Sequence, residues 1–250
     1  MTYILLILLW IGVYVTPTEA SDTPTGKQVL QNIDRNMVFG TSFIKTTMNV
    51  INRRGNKLSF TSQAWSTGPD SALVEYLTPP RQKGVKMLKL GDDLWIYTPE
   101  PTDRIVTISG HMLRQSVNGS DLSYEDITES KSLVDAYDAV VTGQDTIDGS
   151  VCWVVELTAR QEDVTYYSRK LWVDIRRWLP LKEERYARSG KLLKRTGILD
   201  LFQQDGRWIP RKMLFKDMLS SGQGTEYIIE SIDFNVTIPA QMFTKAALRQ

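Results

Sequence analysis

A single histidine, His111, and a single cysteine, Cys152, bound the chemistry open to this 250-residue chain. Ser109, His111 and Asp121 lie close enough in sequence to suggest a hydrolytic triad. No nucleophile elbow surrounds the serine, however, and nothing in the order of the three fixes their geometry. One His and one Cys cannot supply the three or four ligands of an imidazole or thiolate metal site. An all-oxygen site could draw on Asp92-Asp93 or Glu125-Asp126. Asp92-Asp93 follow Gly91 and read as turn residues, whereas Glu125-Asp126 read as first-turn acids of a helix, where the dipole favours them. Glu183 and Glu184 are consecutive on a strand and must face opposite sides, so they make a poor acid–base pair. Gly222-Gln223-Gly224 joins two strands rather than a strand and a helix, which excludes a phosphate loop. Cys152 sits in the apolar strand Val151-Cys152-Trp153-Val154-Val155 and reads as a small buried hydrophobe. The sequence therefore predicts no enzyme, no metal and no cofactor.

The elements that would position these residues are mostly strands. Residues 27–37 place Val29, Leu30, Ile33 and Met37 on one helical stripe. From about residue 41 the period changes to two and stays there, with tight turns at Gly55-Asn56, Gly68-Pro69-Asp70, Gly91-Asp92, Asp148-Gly149, Ser189-Gly190, Asp205-Gly206 and Gly222 to Gly224. The pattern predicts about eleven strands in an antiparallel meander, interrupted once by a helix-like segment after residue 110. Such a meander must curl, with its helices over the concave face. The predicted class is mainly β (α+β): an incomplete antiparallel barrel with helices covering that face.

Composition adds exclusions. Apolar residues make up 42% and charged residues 24%, as in a folded globular chain, and the formal net charge of +1 advertises no nucleic-acid partner. Residues 4–15 are continuously apolar apart from Gly12, and Pro17 follows. This run is too short to span a bilayer, and Thr18-Glu19-Ala20 supplies the small residues of a cleavage site before Ser21. A secretion signal is predicted over 1–20 and one domain over 21–250. With one cysteine an exported chain has no internal disulfide and depends on its core.

What remains is apolar capacity. Met48, Trp65, Tyr76, Met87, Trp95, Tyr97, Phe202, Trp208, Met213 and Phe215 are large or adaptable side chains spread along the strands, and are the candidate lining of a ligand cavity. Methionines repack and rings offer broad contact, which suits flexible tails. An acyl chain gains about 0.8 kcal/mol per buried CH₂, so a long groove would hold one without specific chemistry.

Four stretches carry a family resemblance. They are Gly119-Ser120-Asp121-Leu122-Ser123-Tyr124-Glu125-Asp126, the proline turn Thr78-Pro79-Pro80-Arg81 with the strand to Lys89, the pair Lys170-Leu171-Trp172-Val173-Asp174 and Leu179-Pro180-Leu181, and Ile238-Pro239-Ala240 with Phe243-Thr244. In their order and spacing they resemble the outer-membrane lipoprotein-sorting (LolA/LolB-like) periplasmic carriers. The resemblance implies a half-open barrel with a lid, an acylated lipoprotein or lipid as cargo, transient membrane contact and service to an inner-membrane transporter of the RND type. It also implies a lid over 112–126, in which Met112, Leu113, Val117, Leu122 and Tyr124 face the cavity while Arg114, Asp121, Glu125 and Asp126 face water. Arg114 or an acid of the segment would latch it at an exposed site. The competing expectation is a filled barrel that docks on an envelope complex without carrying anything.

Overall fold

The structure, a computed structural model, describes residues 23–37, 40–128, 132–162 and 164–250. The predicted signal segment lies outside them. Helix α1 (Gly26–Met37) opens the described chain, followed by strands β1 (Thr41–Ile51), β2 (Lys57–Thr67), β3 (Ser71–Thr78), β4 (Lys86–Leu90), β5 (Asp93–Thr98) and β6 (Arg104–Ile108). An insert over 110–136 holds a 3₁₀ turn (Gly110–Arg114) and the short helices α2 (Tyr124–Thr128) and α3 (Leu133–Ala136). Strands β7 (Tyr137–Ile147), β8 (Ser150–Ala159), β9 (Ser168–Asp174) and β10 (Pro180–Tyr186) follow, then β11 (Leu192–Gln204), β12 (Arg207–Asp217) and β13 (Gly224–Phe234). Two 3₁₀ turns (Ala240–Phe243 and Ala246–Arg249) end the chain.

All thirteen strands form one antiparallel sheet in the order β6-β5-β4-β3-β2-β1-β13-β12-β11-β10-β9-β8-β7. The edge strands β6 and β7 do not pair with each other, so the barrel is incomplete as predicted, with thirteen strands rather than about eleven. At Asp148-Gly149 and Asp205-Gly206 both residues take positive φ, the mirror-image turn that matches strand twist and that a Cβ resists.

One face can be followed across the sheet through the register. Met87 pairs with Val74, Val74 with Ala64, and Ser62 with Tyr76. Met48 pairs with both Phe60 and Tyr227, and Tyr227 with Met213. Phe215 then leads through Thr196, Glu183 and Leu171 to Val155. Partners in register share a face, so this is a single inner face. It is covered twice. Over β7–β9, α1 buries Val29, Leu30 and Ile33 against Trp153, Val155, Leu157, Leu171 and Val173. Its start is fixed by a capping box, in which the Gln28 amide donates to the Thr25 hydroxyl (3.2 Å) and the Thr25 amide to Gln28 Oε1 (2.8 Å). A Cβ on Gly26 would lie 2.0 Å from the Ala139 carbonyl oxygen, so only glycine lets the helix start this close to β7.

Over β1–β6 and β13 the cover is the insert, which is not the single helical lid expected. Its 3₁₀ turn, the isolated bridge Ser116↔Ser123 and α2 succeed one another within about twenty residues. Gly119 and Asn118, both at positive φ, turn the chain too sharply for one helix.

Candidate functional site

Between the insert and the inner face of β1–β4, β12 and β13 lies a cavity of about 240 Å³. Met48, Tyr76, Met87, Met213 and Phe215 line it from the sheet, and Val117 and Leu122 from the insert. Met112, Leu113, Tyr124 and Ile127 pack on the apolar cluster that surrounds it. Five of the ten candidate lining residues thus meet at one place. The other five lie elsewhere. Trp65, Trp95 and Tyr97 occupy the alternate positions of their strands and point to the outer face, where the C-terminal turns cover them with Met242, Phe243 and Leu248. Phe202 and Trp208 stand at the far end of the β11–β12 hairpin, beyond two register shifts. There they stack under Arg211 and Arg177 at 4.5 and 4.6 Å from the ring centroids. Residues that sequence reasoning left out complete the lining: Ser62, Val74, Tyr227, Asp126, Ile127 and Arg185. Alternation along β13 would have found Tyr227. Nothing in the charged run 182–188 says that Arg185 points inward.

The insert is fastened by two buried aspartates, Asp121 and Asp126, which were expected to face water. Backbone N–H of Asp217 donates to Asp121 Oδ1 (2.8 Å), the Ser220 hydroxyl to the same oxygen (3.2 Å) and the Thr225 hydroxyl to Oδ2 (2.9 Å). Lys194 Nζ donates to the Asp121 carbonyl (2.5 Å). Asp126 Oδ1 accepts from the Tyr166 hydroxyl and from Arg185, each at 2.8 Å, and its Oδ2 accepts from the Ser123 amide (2.7 Å) and hydroxyl (2.8 Å). Glu183 holds Arg185 (3.0 Å) and Arg169 (3.1 Å) behind it. Burial raises the Asp126 carboxyl, but Arg185, the Ser123 amide, Lys194 and Tyr166 outweigh it and hold the group below the ordinary carboxylate value. Glu183 is likewise pushed up by burial and brought below its ordinary value by Arg185 and Arg169. Tyr166 is raised by burial and by Asp126, so its phenol stays a donor. Of the two expected latches, Arg114 or an acid of the segment, the acids make the contacts, at buried rather than exposed positions, while Arg114 is exposed and makes no ion pair among the described residues.

A larger cavity of about 580 Å³ lies beyond Tyr166, walled by Glu125, Thr128, Tyr137, Arg160 and Arg169 among others. Aspartate, glutamate and arginine side chains stand in its wall beside Ala136, Tyr137 and Ala159, and none of the ten candidate lining residues reaches it. The groups considered for catalysis are dispersed. His111 and Ser109 are exposed, and Asp121 spends both oxygens on the contacts above. Glu183 turns inward to Arg169 and Arg185, and Glu184 outward to Arg195 and Tyr186. Burial pushes the Cys152 thiol up to about 11. Among the described residues no group of three or more His, Cys, Asp or Glu is placed to hold a metal ion.

Residues 68–250 match the sequence model of a family described only as uncharacterized protein-like. No curated protein sequence matches the chain. Three solved structures share its fold. A DUF1329 family protein from Desulfovibrio piger superposes with a TM-score of 0.82 at 24% identity, over 90% of this chain and 98% of that one. A domain named for outer membrane lipoprotein sorting, from Vibrio parahaemolyticus, gives 0.79 at 23%, over 90% and 98%. A LolA superfamily protein from Nitrosomonas europaea gives 0.74 at 23%, over 90% and 100%. The fold is thus the incomplete barrel of the LolA type.

Proposed function

The chain belongs to the family matched over residues 68–250, and from that membership, the LolA-type fold and the inner-face cavity we propose a carrier that shields acyl chains of a lipid or lipoprotein. The observation that carries this reading is the methionine- and ring-lined space under the insert, with Met48, Met87 and Met213 on three separate strands. Thioethers on a rigid sheet adapt to a flexible tail at little cost. The insert that closes the space packs Met112, Leu113, Leu122, Tyr124 and Ile127 on the cluster around it, and hydrogen bonds and ion pairs at Asp121 and Asp126 fasten it. Lifting it uncovers that cluster locally while α1 and β7–β9 keep a core of their own.

In this reading the protein is a single domain over 21–250, exported to the periplasm after cleavage near Ala20, and it moves cargo between envelope membranes beside an inner-membrane transporter. It is not an enzyme. The cavity's size favours a second reading. At about 240 Å³ it falls below the roughly 300–1,000 Å³ of ordinary ligand pockets, as a filled interaction module would. The carrier reading requires the insert to move outward before a long chain enters.

Native mass spectrometry of the protein purified from its own compartment without detergent separates the two. A discrete excess mass that releases a phospholipid, fatty acid or acylated peptide on denaturation establishes the carrier. A clean apo mass, with no uptake of a fluorescent fatty acid, moves the assignment to the interaction module.

A further inference from the structure

The two ends of the sheet differ in charge and in exposed apolar surface. At one end the register brings four connections side by side. Ile51 pairs with Lys57 and with Gly224, which places the β1–β2 turn (52–56) beside the β12–β13 turn (218–223). The Met218 amide donates to the Leu193 carbonyl (2.9 Å), which brings up the β10–β11 turn (187–191). Thr78 pairs with Thr61, and the β3–β4 loop (79–85) leaves at the same end.

These four connections contain no aspartate or glutamate. Arg53, Arg54, Arg81, Lys83 and Lys191 stand exposed on them, with no ion pair among the described residues. Interleaved with the cations are exposed apolar side chains: Leu58 (53% exposed), Leu77, Met218 and Leu219 (60%). The β5–β6 turn next to them carries Glu100 and Asp103, and Asp103 is engaged by Arg249 (3.1 Å). The opposite end is mixed in charge, with Asp70, Asp92, Asp148 and Asp205 at its turns beside Arg176 and Arg177, the latter held by Asp174 (3.1 Å).

We propose that the four-turn end is a docking face for the surface of an anionic phospholipid bilayer. Guanidinium and ammonium groups meet lipid phosphates there, while Met218 and Leu219, at the tip of a tight turn, enter the headgroup boundary. Cations spread around a protruding apolar tip are what an anionic interface selects, because each component adds to partitioning without a shaped pocket. The β12–β13 turn that carries the tip also supplies Ser220 and the Asp217 amide to Asp121 of the insert. Docking thus sets the bilayer beside one of the two anchors that close the cavity. The inference goes beyond the carrier reading and stands on different residues.

The test is co-sedimentation of the full chain with vesicles of phosphatidylglycerol and phosphatidylcholine, against vesicles of phosphatidylcholine alone. The wild type should sediment with the first and not the second, and release as salt rises. Arg54→Glu should lower partition on the order of twenty-five-fold, since each cation near such a surface is worth about five-fold and the reversal counts twice. Arg176→Glu, the same charge change at the opposite end, should leave partition unchanged. Met218→Ser/Leu219→Ser should lower binding while keeping its salt dependence. Because these positions are exposed, a matching thermal midpoint checks that each variant folds. Failure of the wild type to bind anionic vesicles overturns the proposal, as does equal loss from Arg54→Glu and Arg176→Glu. Either result leaves cargo detected by native mass spectrometry untouched.

Discussion

The inner face of one sheet is closed in two ways. Over β7–β9 a capped amphipathic helix presses a stripe of Val29, Leu30 and Ile33 onto Val155, Leu157, Leu171 and Val173, each fully or almost fully buried. Over β1–β4, β12 and β13 an irregular insert of short turns is tied down at Asp121 and Asp126 and leaves about 240 Å³. A helix brings a continuous ridge that interdigitates with the sheet. A segment fixed at two polar points need not conform between them. The first half is therefore fastened by apolar packing and the second by polar anchors around a methionine-lined space.

Removing an anchor should break this contrast most strongly. Asp126→Asn keeps the shape but leaves Arg185 and Lys194 facing a neutral group, and breaking a buried pair costs about 3–5 kcal/mol. Glu183 still holds Arg185, so the lower end is expected. At the size of this chain that is roughly a 6–12 °C fall in thermal midpoint. Fatty-acid exchange should become faster because the cover is loosened. A fall in stability with unchanged exchange would separate the anchor from access to the cavity.

The next pair of variants compares the halves directly. Leu30→Ala, on the buried face of α1, should cost about 3 kcal/mol and leave uptake of a fluorescent fatty acid alone. Met87→Ala, beside existing space, loses fewer contacts and should cost about 2 kcal/mol while changing uptake. Chemical denaturation with parallel uptake assays reads both. Equal costs with equal effects on uptake would mean that the two halves are one core.

How much of this the sequence disclosed follows from the range of the forces involved. The helix is legible because its capping residues Thr25 and Gln28 and its stripe all lie within nine residues. Most strands are legible from alternation and from Asp-Gly turns, and β6 from the run Arg104-Ile105-Val106-Thr107-Ile108 that follows the proline turn. Alternation says that neighbours face opposite ways but not which way is inward. Trp95 and Tyr97 therefore read as cavity candidates as readily as Met87, until pairing with β4 turns them outward. The anchors are the least legible feature. Asp126 meets residues forty and fifty-nine positions away, Tyr166 and Arg185, and only the tertiary fold brings them together.

Acid offers a graded version of the anchor test. Asp126 and Glu183 have folded-state values below their unfolded ones, so the unfolded chain takes up protons first as pH falls. Their stabilisation is present in full above the ordinary carboxylate range. It is lost as pH drops through about 4 and below. The stability gap between wild type and Asp126→Asn should accordingly be constant from neutral pH to about 5 and narrow below it. Urea midpoints across that range measure the gap, and one that widens in acid would reverse the assigned shift.

The smallest effect is expected at Arg114. Its place in the insert and its charge suit a latch, yet it is exposed and lacks an ion pair among the described residues, whereas Asp126 is buried among four donors. An exposed side chain that meets water in both open and closed forms has no differential interaction to contribute to either. Arg114→Ala should therefore change stability by less than about 0.5 kcal/mol and leave fatty-acid exchange at the wild-type rate. Faster exchange in this variant would mean that the insert closes through its exposed edge. The two aspartates would then hold the insert in place without governing when it opens.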